Sequence, residues 1–527
     1  MDLPVTLLIL LSIVALVGLI SRSRRNRLPP GPKGIPLFGN IFDVPKSHEW
    51  LTYAKWSRQY GSDILYLNLL GTPIVILNAG KHATELFEKR SSLYSDRGQS
   101  TMLNELVGWG FDFAFMGYGD RWREHRRVFH QHFNAQAIVK YQPWSAREAR
   151  ALLLRLLEQP EDFMLHLRHM AGSLILSVTY GIKPLPKNDP YIATAEEAIH
   201  ALTQCGNAGA YLGEIPNCVL QLLPSWFPGA GFKRQAAIWR RSTLEMATAP
   251  FDAVKRALVY GTAPVSVVSS LLSDLEGDSE RVAHREAVIR DMAGAAYAGG
   301  ADTSVSALGT FILAMLLHPN VQRKAQAEID RVVGQDRLPG YEDEANLPYI
   351  TSILREVLSR WRPVTPLAVP HRLSKDDEYL GYHLSAGTLV IGNEWAILHD
   401  EARYPDPHTF NPDRYLTEDG KLDPAVPNPE EFAFGFGRRI CPGRFLSISS
   451  VWLTIATILT VFDVEMPTDQ TGRKVNPSCV YTSGLVSYPL PFRCTFKPRS
   501  EHMETLIRGA ATSGELTRNT DQQLEMY

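Results

Sequence analysis

The chain opens on an apolar run. Leu3 to Ile20 carries no charge and is broken only by Pro4, Thr6, Ser12 and Gly18. As a helix at ~1.5 Å per residue it spans roughly 27 Å, close to the hydrocarbon thickness of an endoplasmic-reticulum bilayer. Asp2 is the only charged side chain ahead of the run, and the bases follow it: Arg22, Arg24, Arg25 and Arg27. A secretory signal carries its bases in front. The order here predicts a single-pass anchor over 1–21 with the rest of the chain in the cytosol. Leu28 to Pro36 then packs four prolines and two glycines into nine residues. Such a segment cannot enter a helix or sheet interior, so 22–40 reads as a basic, Pro-rich, stiff hinge. Residues 63–78 read as a hairpin of two short strands around Gly71. Helical spacing dominates from about 80 to 362, and a β-rich stretch covers roughly 364–395. Residues 475–496 alternate and contain Pro489 and Pro491, which suggests short edge strands. From 497 to 527 the chain turns polar and reads as a disordered tail. No linker or repeat interrupts 41–496. The expected fold class is mainly α with a small β region, one large domain after an N-terminal transmembrane helix.

Composition mainly excludes. The chain is 45% hydrophobic and 21% charged with a formal net charge of −2, so it lacks the basic excess of a nucleic-acid binder. Any use of charge must be local. Cys205, Cys218, Cys441, Cys479 and Cys494 are odd in number and widely spaced, with no CxxC pair. That argues against a disulfide scaffold or a zinc site, and free thiols fit a reducing compartment.

One segment concentrates chemistry: Phe434-Gly-Phe-Gly-Arg-Arg-Ile-Cys-Pro-Gly443. Gly435 and Gly437 let the backbone turn tightly and approach a flat ligand. Cys441 supplies a sulfur. Pro442 suits the start of a following helix, whose N-terminus would favour thiolate over thiol. Gly443 leaves room above the backbone, and Arg439 can pair with a carboxylate.

Phe434, Gly437, Arg439, Cys441 and Gly443 resemble the haem-ligand signature of cytochrome P450. The resemblance implies the P450 fold and haem b held through an axial Cys441 thiolate. Further motifs follow in family order. Asp120-Arg-Trp-Arg-Glu-His-Arg-Arg127 looks like the WxxxR helix, with Trp122 and Arg126 on one face toward the haem propionates. Met292 to Ser304 resembles the oxygen-activation groove. There Gly299 and Gly300 would loosen the helix ladder, Thr303 would hold a water, and Asp302 would feed protons. Pro363 to Arg372 resembles the strand beside the haem, with His371 as a propionate donor. Phe410 to Tyr415 matches the PxRF-type segment, which implies that Arg414 joins a buried ion network.

The partners of Arg414 depart from the family pattern. Arg355-Glu-Val-Leu-Ser-Arg-Trp-Arg-Pro363 puts Arg360 four residues after Glu356, where the pattern has three. Glu356 and Arg360 still share roughly one helix face, a π-bulge could absorb the extra residue, or the sequence is in error. The departure bears on how firmly haem is retained.

The resemblance runs from the hinge to residue 496 and is nearest to microsomal monooxygenases of mushroom-forming fungi, which commonly serve secondary metabolism. Asn393 to Asp400 and Thr482 to Pro491 carry that likeness. It implies oxidation of a small, mostly apolar substrate such as a terpenoid, using O2 and electrons from NADPH. Those electrons would come through a separate NADPH–cytochrome P450 reductase, with cytochrome b5 as a second donor. Arg121, Arg123, Arg127 and Arg438 would offer positive charge for docking on the Cys441 side. The pocket is expected along 97–118 (with Phe111, Phe113 and Phe115), Ala295–Gly300, Val364–Val369 and Leu485. The resemblance places the protein in the endoplasmic-reticulum membrane. A haem-thiolate isomerase or dehydratase, or a non-catalytic haem protein, is the alternative; the Asp302-Thr303 pair argues against the first.

Overall fold

The computed structural model describes residues 28–205, 224–468 and 471–510, with the side chains of Ser359 and Arg360 outside that description. The expected anchor over 1–21 and residues 511–527 of the expected tail also lie outside it.

The longest helix, Ser279–Leu317, holds 39 residues and so runs about 58 Å. It begins where Asp278 accepts the Arg281 amide at 2.9 Å. It ends at His318, because Pro319 cannot continue it and instead opens the helix Pro319–Val332. Val288 to Ala298, apart from Arg290, and Ser304 to Leu316 are buried, as expected of a helix that is apolar all round; the break at 299–303 is where it borders the cavity. One buried cluster packs Phe311, Ile312 and Met315 against Trp452 and Ile455 of the helix Arg444–Val461. Another packs Met292, Ala296 and Tyr297 against the helices Phe163–Tyr180 and Asp120–Phe133. The helices Ser279–Leu317 and Arg444–Val461 are each long and apolar enough to cross a membrane. Their most apolar windows are 72% buried inside the protein, which makes them core helices.

The main sheet has five strands: β1 (Ile64–Leu69), β2 (Thr72–Leu77), β3 (Asp96–Arg97), β4 (His371–Arg372) and β7 (Leu389–Gly392), in the order β1-β2-β7-β4-β3. The expected hairpin at 63–78 is β1–β2, turned by Leu70 and Gly71 at φ 50° and 92°. Register sets Arg97 opposite His371 across β3 and β4. Two further antiparallel pairs complete the named strands among the described residues: the hairpin of β5 (Asp377–Tyr379) with β6 (Tyr382–Leu384), and β8 (Phe462–Glu465) with the distant β9 (Thr495–Pro498). The mainly α class with a small β region is what forms.

Several boundaries differ from expectation. The hinge residues 28–40 do not stand free: Pro30 O accepts the Tyr66 amide at 2.9 Å and the Asn40 amide reaches Asn68 O at 2.6 Å, laying the segment along β1. In the stretch 475–496, β9 begins at Thr495, and the rest makes only a bridge between Tyr481 and Pro489, since Pro489 and Pro491 lack ladder N–H groups. Of the tail expected to be disordered from 497, the described part is ordered: 497–498 close β9, and 501–510 are helical. Met503 and Ile507, four apart, sit together in the core, which ties down a segment that is otherwise polar.

Candidate active site

The cysteine loop is closed by its own backbone. Phe434 O accepts the Cys441 amide at 2.7 Å, and the helix Arg444–Val461 starts directly after Gly443. Gly437 has φ 51°, and a Cβ there would lie 2.1 Å from Phe87 O. The close approach expected toward a flat ligand is therefore made to the Phe87 backbone. Gly437→Ala is expected to destabilise the protein by more than ~2 kcal/mol, since left-handed strain adds to a backbone clash. Thermal unfolding of the variant measures this. Gly443 is different: a Cβ there would meet nothing within 4 Å, and the residue lines an open cavity.

That cavity measures about 350 Å³ and brings Cys441, Phe434, Trp122, Arg126, His371, Arg439, Asp302 and Thr303 to one space. Burial pushes the Cys441 thiol up; the amides of Gly443 and Arg444 and the guanidinium groups of Arg126 and Arg444 oppose it. On balance the thiol stays protonated unless a further cation joins the sulfur.

Positive charge is in excess around the cavity. Arg126 donates to Ile440 O at 2.6 Å, and burial pushes it down to about 10. Arg439 was expected to pair with a carboxylate. It instead donates to three carbonyls, Ser95 O (2.7 Å), Phe113 O (3.1 Å) and Met116 O (2.8 Å), and its guanidinium carbon lies 4.5 Å over the Trp122 ring. Arg97, 6% exposed, donates to the carbonyls of Ala114, Val369 and Pro370. Burial and the Arg439 charge hold Arg97 far below its ordinary value. His371 stacks on Phe87 and puts Nδ1 2.6 Å from Tyr94 O; burial and the neighbouring Arg97 keep it neutral. The carboxylate that acts on Arg97 and Arg439, Asp96, is itself bonded to Arg372 and the Tyr118 amide. Arg97, Arg439 and His371 are buried and Arg126 is half-buried, and among the described residues none of the four is bonded to a carboxylate, which fits a ligand that brings carboxylates. This basic cluster and Cys441 fit the propionates and the iron of a haem.

Across the cavity the Ser279–Leu317 helix runs unbroken, so the loosened ladder expected at Gly299 and Gly300 does not form. The glycines act through size. A Cβ on Gly299 would meet open space, whereas one on Gly300 would lie 2.8 Å from Ile175 of the adjacent helix. The Thr303 hydroxyl donates to Gly299 O at 2.8 Å. Asp302 accepts the Tyr488 hydroxyl. Burial raises the Asp302 carboxyl, while Tyr488 and Arg168 pull it down. Behind Asp302 lies a void of about 10 Å³, room for one water, lined by Arg168, Glu196 and Tyr297.

The Glu356–Arg414 pair of the expected ion network forms despite the extra residue. Glu356–Arg360 is a π-helical turn, with the Trp361 amide on Glu356 O at 2.9 Å. The wider turn absorbs the inserted residue. Glu356 is fully buried, accepts Arg414 Nε at 2.9 Å and receives the Asn411 amide at 3.3 Å. Arg414 also donates to the carbonyls of Pro405, Asp406 and Thr409. The Arg360 side chain lies outside the described residues.

Each expected pocket segment contributes to the cavity, but of 97–118 only Arg97 and residues 112–115 line it. Phe113 and Phe115 face it, but Phe111 stacks on Trp109 and fills the space against Gly294. Sequence reasoning missed Arg97 as a charge partner. Its only signal is a lone arginine placed by sheet register opposite His371. It also missed Tyr488 on Asp302 and the pair Thr365–Glu394, contacts between segments distant in the chain.

A helical protein with a half-buried cysteine loop facing a basic, carboxylate-seeking cavity defines a haem-thiolate class of site. The cytochrome P450 family model matches residues 29–496. The chain is 43% identical over 512 residues to tryptamine 4-monooxygenase of Psilocybe cyanescens, covering 95% of this chain and 100% of that protein. It is 45% identical over 492 residues to cytochrome P450 monooxygenase 98 of Postia placenta, covering 93% and 94%. It is 43% identical over 503 residues to cytochrome P450 monooxygenase ple1 of Rhodocybe pseudopiperita, covering 94% and 95%. The chain belongs to the cytochrome P450 family, whose members are haem-thiolate oxidoreductases, and it is similar to monooxygenases of mushroom-forming fungi.

Proposed function

We propose that this enzyme inserts one oxygen atom of O2 into a small, mostly apolar organic substrate, a terpenoid or other secondary metabolite, and releases the second as water. Two electrons come from NADPH through a separate reductase, with cytochrome b5 able to supply the second. Cys441 would supply the thiolate that holds the haem iron. The observation that carries the reading is one cavity with Cys441 on one wall, unbalanced basic groups on its rim and Asp302-Thr303 on the facing helix.

Bound haem supplies the oxygen and one-electron chemistry. The residues do the rest. Arg97, Trp122, Arg126, His371 and Arg439 hold the propionates; those carboxylates would let His371 carry its second proton. Asp302, raised by burial, holds a proton closer to neutral pH than an ordinary aspartate. Protons enter by the water-sized void beside Arg168 and Glu196, pass to Asp302 and leave from the Thr303 hydroxyl. Phe113, Phe115, Ala295, Val369 and Leu485 keep bulk water out. The segment 1–21 anchors the enzyme in the endoplasmic reticulum with the domain in the cytosol, and Arg121, Arg123, Arg127 and Arg438 dock the reductase.

The full-length enzyme with reductase is expected to consume NADPH in proportion to substrate and to place labelled O2 oxygen in the product. Carbon-skeleton isomerisation without NADPH use would contradict the reading. Asp302→Asn and Thr303→Val are expected to keep consuming NADPH while product per NADPH falls at least about tenfold, because proton delivery fails. Comparing product with NADPH used measures this.

A further inference from the structure

The cavity holds two acids that this reading does not use, Asp112 and Glu394; Asp112 accepts the Ala114 amide at 2.8 Å, and Glu394 is placed differently. Glu394 opens a short helix, Glu394–Leu398, directly after β7. Its position is locked from behind. Asn393 accepts the Ala396 amide at 3.2 Å and donates to Trp50 O (2.9 Å) and Asn78 Oδ1 (2.8 Å). The segment Val364–Ala368 lies alongside, through Ala368 N to Gly392 O and Trp395 N to Pro366 O, both at 2.9 Å.

Glu394 is 2% exposed and lines the cavity. Its Oε2 accepts the Thr365 hydroxyl at 2.8 Å, and Oε1 has no hydrogen-bond partner among the described residues. Among the described residues no cation offsets it, and burial pushes the carboxyl up to about 8. A bland core role leaves the group half satisfied: whichever way the Thr365 hydrogen points, one carboxyl oxygen is left over. Burying such a group without a partner costs stability. Its apolar neighbours Val364 and Ala368 line the same cavity.

We propose that Glu394, steadied by Thr365, is the recognition acid of the substrate cavity, and that it selects an apolar substrate bearing one basic amine. A protonated amine supplies both the missing donor and the charge that a buried carboxylate needs, which a hydroxyl does not. The inference rests on the cavity being the substrate site of the proposed monooxygenase.

A matched pair of probes tests it on the full-length, haem-loaded protein. N,N-dimethyl-2-phenylethylamine and (3-methylbutyl)benzene have the same shape and differ in a protonated nitrogen for a carbon. Binding is read from the change in haem absorption. The amine is expected to bind on the order of tenfold more tightly than the hydrocarbon. Glu394→Gln is expected to bring the two within about twofold by weakening the amine alone, and Glu394→Asp to retain most of the preference. Equal binding in the wild type, or a preference that survives Glu394→Gln, overturns the proposal. The wild-type comparison decides even if a variant fails to take up haem. Failure of the monooxygenase reading itself looks different: the wild-type protein would lack the thiolate-type carbonyl band, which removes the basis of both.

Discussion

Cys441→Ser is expected to abolish the thiolate-type carbonyl band and to lower product formation by at least about a thousandfold, some 4 kcal/mol of barrier. The argument is electronic. The proposed role of Cys441 is to push electron density through the iron toward the O–O bond. A serine hydroxyl in the same buried place stays neutral, because even the far more acidic thiol is pushed up there by burial. The fold is expected to survive. The loop is closed by the Phe434–Cys441 backbone bond and held by Arg439 on three carbonyls, none of which needs the sulfur. Haem content, the carbonyl spectrum and product yield of the variant check this together. A serine variant that keeps the thiolate band would mean that another residue is the ligand.

Breaking the Glu356–Arg414 pair is the second large effect. Glu356→Ala leaves the Arg414 guanidinium, 8% exposed in its side chain, without its carboxylate. Loss of one partner of a buried pair costs ~3–5 kcal/mol. Removing Glu356 also releases the Asn411 amide, and Arg414 no longer fixes the carbonyls of Pro405, Asp406 and Thr409 with a set geometry. The π turn packs on the short helix Glu430–Ala433, which leads straight into Phe434. Loosening is therefore transmitted to the cysteine loop, and haem loss is expected at lower denaturant than in the wild type. Glu356→Gln keeps the shape and is expected to recover part of the loss. A denaturant titration that follows both haem release and helix content checks it; a shift below about 1 kcal/mol would show that the pair does not brace the loop.

The parts of the site written contiguously were legible in the sequence. Phe434 to Gly443 fixes glycines, an arginine, a cysteine and a helix start within ten residues, so its chemistry needs no tertiary contact to be seen. The π turn at Glu356–Arg360 was legible as one solution to an extra residue, because a helix has few ways to absorb one. What escaped depends on contacts between distant segments. Arg97 meets His371 only through a two-residue strand pairing. Tyr488 reaches Asp302 across 186 positions, and Thr365 reaches Glu394 across 29. The helix at 501–510 escaped for another reason: two buried residues four apart are too weak a period to outweigh a polar composition.

The central claim is that Cys441 presents a thiolate to iron in a cavity whose basic rim holds the haem carboxylates. The most direct measurement is the absorption spectrum of the purified, full-length protein, reduced under carbon monoxide. The account predicts stoichiometric haem and a thiolate-type carbonyl band that disappears in Cys441→Ser. A protein without haem, or a carbonyl band typical of histidine or neutral thiol ligation in the intact wild type, would contradict it.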